Sequence, residues 1–178
     1  MITKQLAERI AAAKATGGGN LITDGDYIFE VEKVLLHQGY KGTSFIAEMR
    51  VVESEATVEA VAPNKAGSAA SLIVNLDKNP EMAPGNVKAF VLALLGLDEG
   101  ATSTEQFVGR LESLLADAQP ARGMLVADTT FRKLIQKGPN IDKPFTGHKW
   151  SHVPQTAAEV ASRRAAQEAG GGRPTEAQ

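Results

Sequence analysis

Between positions 122 and 152 the sequence sets Phe131, Arg132, Lys133, Lys137, Lys143, Phe145, Lys149 and Trp150 in one run, and a shorter group, His37, Tyr40 and Lys41, stands far upstream. Cations spaced along an extended chain can pair with a row of phosphates, and aromatic faces between them can stack on bases. Each stacked base is worth about 1–3 kcal/mol. Charge is segregated to match: residues 122–152 carry six cations against two acids, a net of +4, and residues 76–119 carry three cations against seven acids, a net of −4. A chain whose formal net charge is only −2 thus has one basic and one acidic region. Phe131 and Phe145 are expected in the core, as bulky aromatics usually are. Tyr40 and Lys41, between Gly39 and Gly42, are expected at an exposed tip.

Signatures of catalysis are missing from the sequence. It has no Gly-rich phosphate loop ending in Lys and Ser or Thr, no G-x-S-x-G elbow and no His-Glu-x-x-His helix. The three histidines, His37, His148 and His152, are too few and too far apart for a metal site. The helical spacing of His148 and His152 falls in a stretch where Pro144, Gly147 and Pro154 argue against a helix. "TGGGN" at 16–20 reads as a linker, and "DGD" at 24–26 as turn acids leading into a strand. With no cysteine there is no disulfide, cysteine zinc site or thiol nucleophile, and a reducing compartment is the simpler setting. The expectation is a protein that is not an enzyme and holds no metal or cofactor.

The elements that must position these residues are legible from periodicity. Residues 1–14 fit a short amphipathic helix with Leu6, Ile10 and Ala13 on one side, ended by Gly17, Gly18 and Gly19. Tyr27, Phe29 and Val31 alternate with polar or outward positions, as do Phe45, Ala47, Met49 and Val51, so residues 26–53 read as a β-hairpin around "HQGYKG". "SLIVNL" is a third strand. Val87, Phe90, Val91, Leu94 and Leu95 then recur at helical spacing up to Gly96, and a second helix is expected from a Thr102 cap with Glu105 reaching back. "RGMLVADTTFRKLI" and "HKWSHV" are the last two strands, and an alanine-rich helix leads into a tail expected to be disordered. The domain reading is 1–21 N-terminal helix and linker, 22–153 main domain, and 154–178 C-terminal helix and tail.

Three strands, a helical insertion and two more strands make a mostly β chain with helices, an α+β class, in the order of an OB-like five-stranded barrel with its helical insertion between strands 3 and 4. In that fold the loops joining strands 1 and 2 and strands 4 and 5 flank one binding face, so the two aromatic and basic stretches are expected to converge. The expected nucleic-acid contacts are Tyr40, Lys41, Arg132, Lys133, Lys137, Lys143, Lys149 and Trp150.

The phrases "DYIFEVEKVLLHQGYKGTSFIAEMRVVES", "PGNVKAFVLALLGL" and "GPNIDKPFTGHKW" resemble phage-encoded OB-fold single-stranded-DNA-binding proteins over residues 22–153. The resemblance implies a protein that coats single-stranded DNA in phage replication or recombination, in the host cytoplasm; phage replication or recombination proteins and a homo-oligomer are the further candidate partners, and the sequence leaves the oligomeric state open. An acidic recruiting tail is not part of the match, since residues 155–178 balance three acids with three arginines. No apolar run is long enough to span a membrane, and Lys4, Glu8, Arg9 and Lys14 interrupt any signal-peptide core, so a cytoplasmic protein without membrane partners is expected. The competing reading is a phage structural or assembly protein that self-associates through its terminal arms and the outward Ile28, Ile46 and Ile73.

Overall fold

The computed structural model describes residues 3–13, 22–78 and 80–170. Its elements run α1 (Lys4–Ala12), β1 (Gly25–Gly39), β2 (Gly42–Glu55), β3 (Ala69–Asn75), α2 (Ala83–Leu95), a single 3-10 turn (Glu99–Ala101), α3 (Thr104–Leu114), β4 (Leu125–Leu134), β5 (Pro144–His152) and α4 (Ala157–Ala169). The strands form one antiparallel sheet in the order β3-β2-β1-β4-β5. The class is α+β, with the helical insertion between the third and fourth strands as expected. β3 and β5 end the sheet without pairing with one another, so the sheet is not closed into a barrel.

Alternation places side chains as the period of two requires. Tyr27, Phe29 and Val31 of β1 and Phe45, Ala47, Met49 and Val51 of β2 are buried. Beyond Val31 the phase slips, because the β1–β2 register skips a residue between Val31 and Lys33. This bulge turns Val34 into the core. A second skip lies between Ile28 and Phe29. α2 packs Val87, Phe90, Val91 and Leu94 against the sheet and ends at Gly96, whose left-handed φ of 65° suits glycine. Between them, Phe45 and Phe90 meet edge to face at 5.9 Å.

The cap of α3 is displaced by one residue from the expected one. Ser103, not Thr102, caps it: Gln106 N donates to Ser103 Oγ at 3.2 Å and Ser103 N donates to Gln106 Oε1 at 3.0 Å. The Thr102 hydroxyl is occupied in closing the preceding turn, donating to Asp98 O at 2.7 Å.

Both described terminal helices dock on their own chain. α1 buries Ala7, Ile10 and Ala11, and Lys88 Nζ donates to Ala11 O at 2.8 Å. The expected face of Leu6, Ile10 and Ala13 is therefore rotated toward Ala7 and Ala11, with Ala13 serving as the helix's C-cap. α4 buries no residue; it is held by polar contacts, Arg163 donating to Gly123 O at 2.6 Å, Arg164 to Gln119 O at 2.9 Å and Gln167 to Glu30 Oε2 at 2.7 Å. Gly123 makes this approach possible, since a Cβ there would stand 2.7 Å from Val160 O and 2.9 Å from Arg164 N. The assembly reading treated these helices as arms. Gly17, Gly18 and Gly19 and the tail after Gly170 lie outside the described residues.

Two glutamine amides take the place of strand neighbours where the sheet would expose backbone. Val34 N donates to Gln119 Oε1 at 2.7 Å and Gln119 Nε2 donates to Val34 O at 3.0 Å. Gln155 serves Leu125 in the same way, with both hydrogen bonds at 2.9 Å. Gln119 holds a φ of 49°, a left-handed conformation uncommon for a side chain of its kind. Among the described residues no helix is long and apolar enough to cross a membrane.

Candidate nucleic-acid interface

β4 pairs with β1 only from Leu125 to Thr130, the last pair being Thr130 with Gly25. The remaining residues of β4, Phe131 to Leu134, pair instead with Pro144 to Gly147 of β5 and so run past the start of β1 as a two-stranded arm. β5 thus begins four residues before the expected "HKWSHV". Pro144 is tolerated because it is the strand's first residue. The connecting segment is itself hydrogen-bonded, with Ile135 N donating to Lys143 O at 3.0 Å and Asp142 N to Ile135 O at 2.8 Å.

The strand period sorts the arm's side chains onto two faces. On one face Phe131 stands opposite Gly147, Lys133 opposite Phe145 and Thr129 opposite Lys149. The Phe131 ring lies across Gly147, where a Cβ would meet Phe131 Cε2 at 2.4 Å, and Lys133 Nζ sits 4.9 Å from the Phe131 ring centre. Phe131 and Phe145 are half-buried rather than core residues. The other face carries Arg132 and Leu134. Arg132, Lys133, Lys137, Lys143 and Lys149 are all exposed, and none forms an ion pair among the described residues. By contrast Arg50, Lys88, Arg122, Arg163 and Arg164 are each paired with a glutamate. Arg9, Lys33, Lys41, Lys65, Lys78 and Arg110 are likewise outside the ion pairs, so what marks the arm is that five such cations fall between residues 132 and 149 of one hairpin.

Tyr40 and Lys41 form the β1–β2 tip, with Tyr40 95% exposed and Lys41 Nζ 5.5 Å from its ring centre. The tip is braced by Asp77, which accepts from Thr43 N at 2.6 Å. It does not converge with the arm. The tip follows Gly39 and the arm projects beyond Gly25, so the two leave opposite ends of β1. The fifteen residues of β1 separate them, about 50 Å of contour at ~3.3 Å per residue.

Trp150 faces inward. Its indole meets Phe90 edge to face at 5.0 Å, lies 6.1 Å from Phe29 and stacks on His148 at 5.0 Å. One ring face is thus covered by His148 and the ring packs at the margin of the core, while the half-buried indole also borders the open space between α2 and β5.

The register also assembles a polar group that periodicity did not bring to notice. Thr130 is opposite His148 and Asp128 is opposite Trp150, all on the inward face. His148 Nδ1 donates to Asp128 Oδ2 at 2.6 Å, and Thr130 Oγ1 donates to the same oxygen at 2.6 Å. Both members of the Asp128–His148 pair have fully buried side chains. Asp128 Oδ1, His148 Nε2 and Trp150 Nε1 have no hydrogen-bond partner among the described residues. The pair resembles the base and orienting acid of a nucleophilic site, but full burial keeps any substrate away, and its chemistry here is that of a core lock between β4 and β5. The available signal was that Asp128 and Thr130 share the inward face with Val126.

Of the other expected acids, Asp26 accepts from Thr129 Oγ1 at 2.7 Å and so ties β1 to β4. Among the described residues no group of three or more histidines, aspartates or glutamates is placed to hold a metal ion. Comparison of the chain with protein-family models, curated proteins and solved structures gives no match.

Proposed function

We propose that the protein is a non-catalytic single-stranded-DNA-binding protein that holds its ligand on the β4–β5 arm. The observation that carries this reading is that Arg132, Lys133 and Lys149 on the β4–β5 pair, and Lys137 and Lys143 on the segment joining them, are all exposed and outside any ion pair among the described residues. Phosphates pair with these five cations. Bases stack on Phe131 and Phe145, which are half-exposed and share a face of the arm with Lys133 and Lys149, whereas Trp150 is on the other face.

The strand order, with β1 central and helices between β3 and β4, supports an OB-like and partly open arrangement. The sequence resemblance to phage-encoded single-strand binders points the same way and suggests a replication or recombination setting. Tyr40 and Lys41 add a contact only for a strand long enough to follow β1 from the arm to the far tip. An oligo-dT length series tests this: affinity rises in one step when the oligonucleotide spans β1, and Tyr40→Ala removes that step. The reading fails if neither short nor long oligonucleotides bind at low salt.

The assembly reading keeps one observation in its favour. Ile46 pairs with Leu35 and with Ile73 across three strands, a half-buried apolar row on the outer sheet face. The docking of α1 and α4 on their own chain counts against it.

A further inference from the structure

The tip of the basic arm carries two large exposed apolar side chains, Leu134 at 56% and Ile141 at 54% exposure. Exposed aliphatic residues on a hydrogen-bonded hairpin, flanked by Lys133, Lys137 and Lys143, have the composition of a plug with a charged collar. A complementary socket exists on the same molecule. Between the end of α2 and β5 lies an open groove of about 470 Å³, floored by Ala89, Leu92 and Leu97, with Trp150 on its β5 side and the acid Asp98 on its rim. Its β5 wall is the last strand of the sheet.

The arm cannot fill the groove of its own chain. Leu134 is opposite Pro144, and the groove begins at Trp150, six residues further along the same strand, about 20 Å away on a paired and extended ribbon. The plug and the socket are therefore at two ends of one rigid element and face different neighbours. Charge is complementary, since the arm carries Lys133, Lys137 and Lys143 and the α2 side of the groove carries Asp98.

We infer that the groove between α2 and β5 receives Leu134 and Ile141 of a second copy of this chain, giving a head-to-tail association in which Lys137 and Lys143 approach Asp98. Such a contact is heterologous, so it propagates into a chain of molecules or closes into a ring. It goes beyond the DNA-binding reading and is tested without nucleic acid, so that either can fail while the other stands.

The experiment is sedimentation velocity of the full chain at low salt over a concentration series. The wild type is expected to exceed the 18.8 kDa of one chain and to grow with concentration. Leu134→Asp with Ile141→Asp, the arm variant, and Ala89→Arg with Asp98→Lys, the groove variant, are each expected to stay monomeric with unchanged far-UV circular dichroism. Asp98→Lys alone, fully at the surface, is expected to weaken association at least tenfold should Ala89→Arg impair folding. Mixing the arm variant with the groove variant restores one working contact and is expected to yield a dimer that grows no further. A wild type that stays monomeric throughout, an association that survives both variants, or a mixture that forms no dimer would each overturn the inference.

Discussion

Replacing His148 with alanine withdraws the imidazole that faces a fully buried carboxylate, leaving Asp128 Oδ2 with the Thr130 hydroxyl and Asp128 Oδ1 with no partner. Breaking one side of such a pair typically costs about 3–5 kcal/mol, because the charge left behind stays out of water. For a chain of this size each kcal/mol lowers Tm by about 2–4 °C, so His148→Ala should melt roughly 6–20 °C below wild type. Part of that loss comes from the cavity and from the ring that stacks on Trp150. A double-mutant cycle separates the terms. Asp128→Val strands His148 and His148→Leu strands Asp128, whereas the double variant strands neither of the pair and leaves only the Thr130 hydroxyl without its acceptor, and a coupling of about 2 kcal/mol or more is expected. Urea titrations followed by circular dichroism and by the fluorescence of Trp150, the only tryptophan, give the values at constant m. A coupling near zero, or a His148→Ala cost below about 1 kcal/mol, would refute the idea that this pair locks β4 to β5.

Three further outcomes follow from particular contacts. Gln119→Ala should cost about 1–3 kcal/mol, since it strips the buried N–H and carbonyl of Val34; Gln119→Gly should cost less because it relaxes the φ of 49°, and equal urea midpoints would contradict this. Gly147→Ala must push the Phe131 ring off β5, with an expected loss of about 1–3 kcal/mol by thermal melting; an unchanged Tm would mean that the ring does not rest there. Gly123→Ala should release α4, because its Cβ would enter the helix backbone, and its left-handed φ of 85° should also cost the main transition about 1–2 kcal/mol. Trypsin should then cut after Arg163 and Arg164 far faster than in wild type, and equal cleavage rates would contradict the docking.

How far the sequence foretells this molecule depends on the range of the interaction involved. The inward sets of β1 and β2 and the apolar face of α2 follow from local period and were legible. What escaped is set by neighbours. The bulge at Glu32 shifts Val34 into the core through pairing with β2, which no period within β1 reveals. The start of β5 at Pro144 depends on β4 outrunning β1. Thr102 and Ser103 are equally good caps by type, and only the hydrogen bond to Asp98 O takes Thr102 away.

The site divides in the same way. Residue types alone marked the cations of the arm and the exposed Tyr40, because lysines seldom lie buried and a tip between glycines has little to pack against. The orientation of Trp150 and the separation of the arm from Tyr40 needed the register of β4 against β1 and β5. The Asp128–His148 pair needed it too, since its members stand 20 residues apart and meet only across two strands.

The most direct test of the central claim is the salt dependence of oligo-dT binding, read by fluorescence anisotropy of a labelled oligonucleotide. With one phosphate neutralised and its counterions released per cation, five cations give a slope of about −3.5 in log affinity against log salt, or roughly a hundredfold loss between 50 and 200 mM. Lys133→Gln with Lys149→Gln should flatten the slope to about −2.1 without altering the melting curve. Saturable binding with these two slopes is the predicted result. Absence of binding at low salt, or a slope that ignores the loss of both lysines, would contradict the assignment of the arm as the DNA-holding element.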